Sequence, residues 1–152
     1  MDAVRVAPVA AFLAGLVVGG VAVGASVPRD GGVDPAHPPY SVASASGCID
    51  DAGGWAFTTP VERGQMVVVN LTVDHGPGAS VESDLVRVGD GRYRFDVTTV
   101  STEKRGAPDC RTGSTVEFSG TLPAAVEAVT VVYDGRRVGT VRPTDGPTYR
   151  PL

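Results

Sequence analysis

The residues that could do chemistry are few and far apart. Histidine occurs only at His37 and His75, and cysteine only at Cys48 and Cys110. Nucleophilic catalysis needs a serine or cysteine beside a base. Serines are plentiful, but no G-x-S-x-G elbow occurs. His75 stands in "DHGPG", where Gly76, Pro77 and Gly78 favour a turn over a triad member. His37 lies among prolines, where a solvated side chain is the simplest expectation. Paired carboxylates can hydrolyse glycosides when they face each other across a cleft. Asp50 and Asp51 are adjacent in "CIDDAGG", so an extended backbone points them to opposite sides. Calcium needs clustered carboxylate and carbonyl oxygens. Asp109 precedes Cys110, so a Cys48–Cys110 bond would bring it near Asp50. Asp50, Asp51 and Asp109 are therefore the weak candidates for a divalent cation, without the D-x-[DN]-x-[DN]-G run of a dedicated loop. Zinc needs more ligands than two scattered histidines and two scattered cysteines supply. No P-loop, dinucleotide fingerprint or H-E-x-x-H occurs. The expectation is a non-enzymatic protein with no cofactor.

Two positions point to covalent chemistry of another kind. One even pair of cysteines, both following an apolar segment, reads as a disulfide. Cys48–Cys110 would close a loop of roughly 60 residues, worth about 4 kcal/mol in the chain-entropy account. Asn70-Leu71-Thr72 is an N-glycosylation sequon. Asn70 falls on the polar face of its segment, so it is open either to sugar or to solvent.

Strands must position these residues. In "QMVVVNLTVD", Val67, Val69, Leu71 and Val73 alternate with Val68, Asn70, Thr72 and Asp74. In "RYRFDVT", Tyr93, Phe95 and Val97 alternate with Arg92, Arg94, Asp96 and Thr98. In "TVEFSGTL", Val116, Phe118 and Leu122 oppose Thr115, Glu117, Ser119 and Thr121. Period two with one apolar and one wet face is the pattern of antiparallel sheet solvated on one side. Asp134-Gly135, between two β-rich runs, supplies the positive φ angles of a type I′ hairpin. "VGDGRY" turns the chain in a similar way. Strands are expected near 41–47, 55–59, 65–74, 80–88, 91–102, 114–122 and 128–142, the last a hairpin. That gives about seven strands, or eight when the hairpin is split. No stretch after residue 30 has a helical period, and the fold class is all-β, an antiparallel β-sandwich of Ig-like architecture.

Ahead of these strands, residues 8–27 carry no charged side chain. A helix of about 20 residues spans about 30 Å, a bilayer's hydrocarbon core. A secretory signal usually has only about 7 to 15 apolar residues, so length favours a retained anchor. Val23 and Ala25 also suit cleavage after Ala25, which keeps a cleaved signal and a secreted protein as the alternative. The expected organisation is a short tail over 1–7, the anchor over 8–27, a Pro/Gly/Ser-rich stalk over 28–46 and a sandwich over 47–152. The stalk reading rests on Pro28, Pro35, Pro38 and Pro39 amid Gly, Ala and Ser. Net charge is −4, which argues against a nucleic-acid partner. Arg92, Arg94, Arg136 and Arg137 make a strip whose simplest reading is a solvated face paired with Asp and Glu.

Cys48, Trp55 and Cys110 follow the Cys…Trp…Cys order of immunoglobulin domains, which the chain resembles in architecture. It departs from that family at Trp55, only seven residues after Cys48, and at Pro108, where a corner tyrosine would stand. The Asp-rich, Lys-poor, Ala/Val/Gly-rich balance is similar to that of haloarchaeal-type surface proteins with one N-terminal span and an Ig-like sandwich. That resemblance implies a plan and no activity. The function expected is a membrane-anchored extracellular sandwich, an envelope or interaction module with residues 28–152 outside the cell. Two alternatives stand beside it. One is an accessory subunit of a larger membrane complex, docking through an apolar patch around Trp55, Phe57 and Tyr40. The other is a secreted domain with a calcium site or hydrolase activity.

Overall fold

The alternating segments form strands in the computed structural model, which describes residues 33–102 and 109–152. The expected anchor over 8–27, the first residues of the expected stalk, and Pro108 lie outside the described residues. Among the described residues there are nine strands: β1 (Tyr40–Cys48), β2 (Gly53–Val61), β3 (Gly64–Asp74), β4 (Ala79–Gly89), β5 (Arg92–Ser101), β6 (Thr112–Leu122), β7 (Ala128–Tyr133), β8 (Arg136–Val141) and β9 (Thr148–Pro151). They make a five-stranded sheet of order β1-β6-β3-β2-β9 and a four-stranded sheet of order β4-β5-β7-β8. The result is an all-β sandwich, as the alternation requires.

The apolar faces meet between the sheets. Val67, Val69, Leu71 and Val73 of β3 and Val116, Phe118 and Leu122 of β6 are buried from one side. Tyr93, Phe95 and Val97 of β5 and Val129 and Val131 of β7 are buried from the other. Phe95 and Phe118 join the two layers, with ring centroids 4.8 Å apart. Burying each such side chain contributes roughly 1.5–3 kcal/mol.

Three features depart from the sequence expectation. First, β5 and β7 run parallel. The chain leaves β5, crosses to the other sheet as β6 and returns as β7, so the two neighbours point the same way. Alternation reports which face is wet and is blind to strand direction. Second, β9 pairs with the edge of β2, where "TYRP" has no alternation to betray it. Third, the sandwich begins earlier than residue 47. β1 pairs with β6 from Tyr40↔Gly120 to Cys48↔Thr112. Ahead of it, the Tyr93 hydroxyl donates to the Pro35 carbonyl at 2.9 Å, and the Thr121 N–H donates to Pro39. Much of the segment that composition assigns to a stalk is therefore laid against the domain. β1 is an edge strand with exposed side chains on both faces, and such a strand carries stalk-like composition.

The turns divide by glycine geometry. Asp134 and Gly135 both have positive φ, at 45° and 76°, as a type I′ turn needs. At Asp90-Gly91 only Gly91 is positive. That hairpin instead carries a bulge between Arg87 and Gly89.

Candidate functional site

The disulfide organises one end of the sandwich. Cys48 and Cys110 are bonded, with Cα atoms 5.7 Å apart. The bond ties the end of β1 to the approach to β6, two strands of the same sheet. An immunoglobulin disulfide crosses between sheets and packs on its tryptophan. Here Trp55 pairs across to Asn70 and stacks on Tyr149 instead.

The acidic candidates do not converge. Arg111 Nε donates to Asp74 at 2.7 Å, and Arg111 Nη1 lies 3.8 Å from Asp51. The same guanidinium donates to the Asp50 carbonyl at 3.4 Å. Asp51 is thus drawn towards a cation that the chain supplies itself, in competition with a metal. Asp109 is exposed beside Cys110, and its carboxylate makes no ion pair among the described residues. No group of three or more His, Cys, Asp or Glu side chains gathers there to hold a metal ion among the described residues.

His75 closes β3 and reaches a buried serine that composition could not single out. Its Nε2 lies 2.7 Å from Ser114 Oγ, and its Nδ1 lies 3.0 Å from the Gly76 carbonyl. A carbonyl only accepts, so the Nδ1 contact places a proton there, and in the neutral ring Nε2 then accepts from Ser114. Ser114 is fully buried, and its oxygen lies 2.6 Å from Ser46 Oγ. A serine–histidine pair usually signals nucleophilic chemistry. Two facts remove that meaning. The serine is closed to solvent, and the ring is oriented by a backbone carbonyl where a carboxylate would stabilise the imidazolium. The pair fastens the β3–β4 turn to β6.

A second polar network joins the sheets nearby. The Tyr133 hydroxyl donates to the Asp74 carbonyl at 2.7 Å and lies 3.0 Å from Thr99 Oγ1. Asp134 accepts from the Thr99 N–H and hydroxyl, both at 2.8 Å. The Thr99 N–H holds the Asp134 carboxyl below the ordinary carboxylate range, against a smaller opposing effect of desolvation. The Thr99 and Tyr133 hydroxyls act in the same downward direction, as does the positive charge of His75 when its ring is protonated.

The outer faces of the two sheets differ in character. On β5, Arg94 pairs with Asp96 at 2.8 Å and Arg92 with Glu127 at 3.2 Å, so half of the arginine strip is paired with acids as expected. The other sheet turns out a row in which Pro151, Trp55, Asn70, Glu117 and Ala43 lie opposite one another from β9 to β1. The next row holds Tyr149, Phe57, Val68 and Ser119. Trp55 and Tyr149 stack, with centroids 5.8 Å apart and planes 28° from parallel. Tyr149 is 63% exposed. Of the apolar patch expected around Trp55, Phe57 and Tyr40, the first two belong to this strip. Tyr40 does not; its ring packs on Phe118 and its hydroxyl donates to Asp84. Tyr149 takes its place, brought there by β9, and its only sequence signal is an aromatic residue in a Pro-rich tail.

The fold and these surfaces define a disulfide-closed all-β sandwich with one ion-paired and one aromatic outer face. Comparison with protein-family models, with curated proteins and with solved structures finds no match.

Proposed function

We propose that this chain is a non-enzymatic envelope or interaction module, held at the membrane by residues 8–27 and standing outside the cell. The observation that carries the reading is the Cys48–Cys110 disulfide. Such bonds persist in oxidising compartments and are rare in reducing ones. The uncharged run at 8–27 is long enough to span, and the sandwich begins soon after it. The test is intact mass from separate membrane and soluble fractions, with and without reductant before alkylation. The expected result is a full-length chain in the membrane whose cysteines alkylate only after reduction. A soluble chain beginning near Ser26 means a secreted domain. Thiols that alkylate without reductant sink the outside placement.

A second reading, an accessory subunit, is favoured by one observation. The Trp55–Tyr149 strip is an apolar surface on an otherwise hydroxyl-rich sheet face. Replacing both by serine removes no core side chain. Under this reading the double variant leaves a larger membrane assembly while remaining folded. An unchanged native size excludes it.

A further inference from the structure

Asn70 is the central residue of the aromatic row. The sheet register sets it directly opposite Trp55 on one side and Glu117 on the other. Directly opposed Cβ atoms in an antiparallel pair lie about 4.5–5.5 Å apart. Asn70 is half-buried, and its carboxamide makes no hydrogen bond among the described residues, so folding does not consume its nitrogen. Thr72, two residues on, completes the sequon and faces the same side. Behind Trp55 stands Tyr149, and Phe57 and Val68 fill the adjoining row. Trp55, Phe57 and Val68 are half-buried and Tyr149 is exposed. The strip's other border is a field of hydroxyls: Thr115, Ser119 and Thr121.

We propose that the occupant of this strip is a glycan carried on Asn70, whose first sugar rings lie over Trp55 and Tyr149. The proposal rests on the outside placement argued above. The chemistry of the surface suits a pyranose on both counts. The negative face of an aromatic ring attracts the polarised C–H bonds of a sugar face, and the flanking hydroxyls meet the sugar's own. Tethering removes most of the association cost that a free sugar would bear, because the glycan is already at high effective concentration. The modification is a glycosyl transfer from a lipid-linked glycosyl phosphate donor, catalysed by a membrane transferase. The bond from the sugar anomeric carbon to the donor phosphate oxygen breaks, and a bond from that carbon to Asn70 Nδ2 forms. One amide proton leaves, the lipid phosphate departs, and nothing is oxidised or reduced. Transfer precedes folding, and the alternation of β3 then leaves the glycan on the solvent side of the sheet.

The test uses the full chain purified from the cells that make it. Peptide mapping reads the mass of the segment holding Asn70, for the natural chain and for Asn70→Gln, Thr72→Val and Thr72→Ser. The expected result is a glycan-sized mass on Asn70 that is lost in Asn70→Gln and Thr72→Val and kept in Thr72→Ser. Trp55 is the chain's one tryptophan, so fluorescence reports on this strip alone. Loss of the glycan should shift its emission to the red and raise its quenching by acrylamide. An unmodified Asn70 in a membrane-bound, disulfide-bonded chain overturns the proposal and leaves the outside placement intact. A glycan whose loss leaves Trp55 emission and quenching unchanged overturns the covering of the strip. Thiols free before reduction show instead that the placement itself has failed.

Discussion

At the scale of single residues, Asp134 does two jobs. It takes a positive φ in the β7–β8 turn, and its carboxylate gathers Thr99 from the end of β5. Asparagine tolerates the same backbone, so Asp134→Asn isolates the charge. The folded carboxyl keeps its charge to lower pH than the unfolded one. Its contribution is therefore complete above the ordinary carboxylate value of about 3.9. It is lost as pH falls below that value and through the folded one. The carboxyl is exposed, which limits the effect to under about 1 kcal/mol. Denaturant midpoints should separate the natural chain from Asp134→Asn at pH 6, and the gap should be smaller at pH 3, below the ordinary carboxylate value. A gap of equal size at both pH values would assign the effect to the turn and leave the charge without a role.

At the scale of elements, legibility followed the physics of alternation. Strands β3, β5 and β6 each bury one complete apolar face, and each is plain in the sequence. The type I′ turn is equally plain, because Asp-Gly is one of few pairs that accept two positive φ angles. Edge strands are harder. β1 is exposed on both faces and β9 has four residues ending at Pro151. An edge strand needs little apolar surface, and proline is tolerated there because one side of the ladder is unpaired. The same limit hid one of the three aromatic residues of the strip. Trp55 and Phe57 stand in a readable strand, while Tyr149 reaches them only through the β9 pairing. Direction also escaped: the parallel β5–β7 pair is fixed by where the chain goes between them, a tertiary fact. The polar networks were out of reach for a related reason. Ser114 is one serine among many until burial places it beside His75.

At the scale of the whole molecule, the disulfide and the polar networks sit at the same end of the sandwich. Among the described strands β1 is held laterally by β6 alone, and the segment just ahead of it is fastened by the bonds from Tyr93 to Pro35 and from Thr121 to Pro39. The Cys48–Cys110 bond sits at the far end of β1 and fastens it to the approach to β6. The two cysteines are 62 residues apart in sequence, and the loop between them contains β2 to β5. Cross-linking so long a loop removes much disorder from the unfolded chain, about 4 kcal/mol in the chain-entropy account. A small domain has roughly 5–15 kcal/mol of net stability in all. Replacing both cysteines by serine should therefore lower the unfolding free energy by about 2–5 kcal/mol. The loss should be felt throughout the domain, because the entropy belongs to the unfolded state. A further loss should be local. Amide exchange in β1 should quicken more than in β3 or β5, since β1 alone among these three has a single neighbour. Hydrogen exchange resolved by strand, with the denaturant midpoint measured on the same samples, reads both effects together. A lowered midpoint with uniform exchange would confine the bond to an entropic role. An unchanged midpoint would mean that the paired strands hold that end of the sandwich without it.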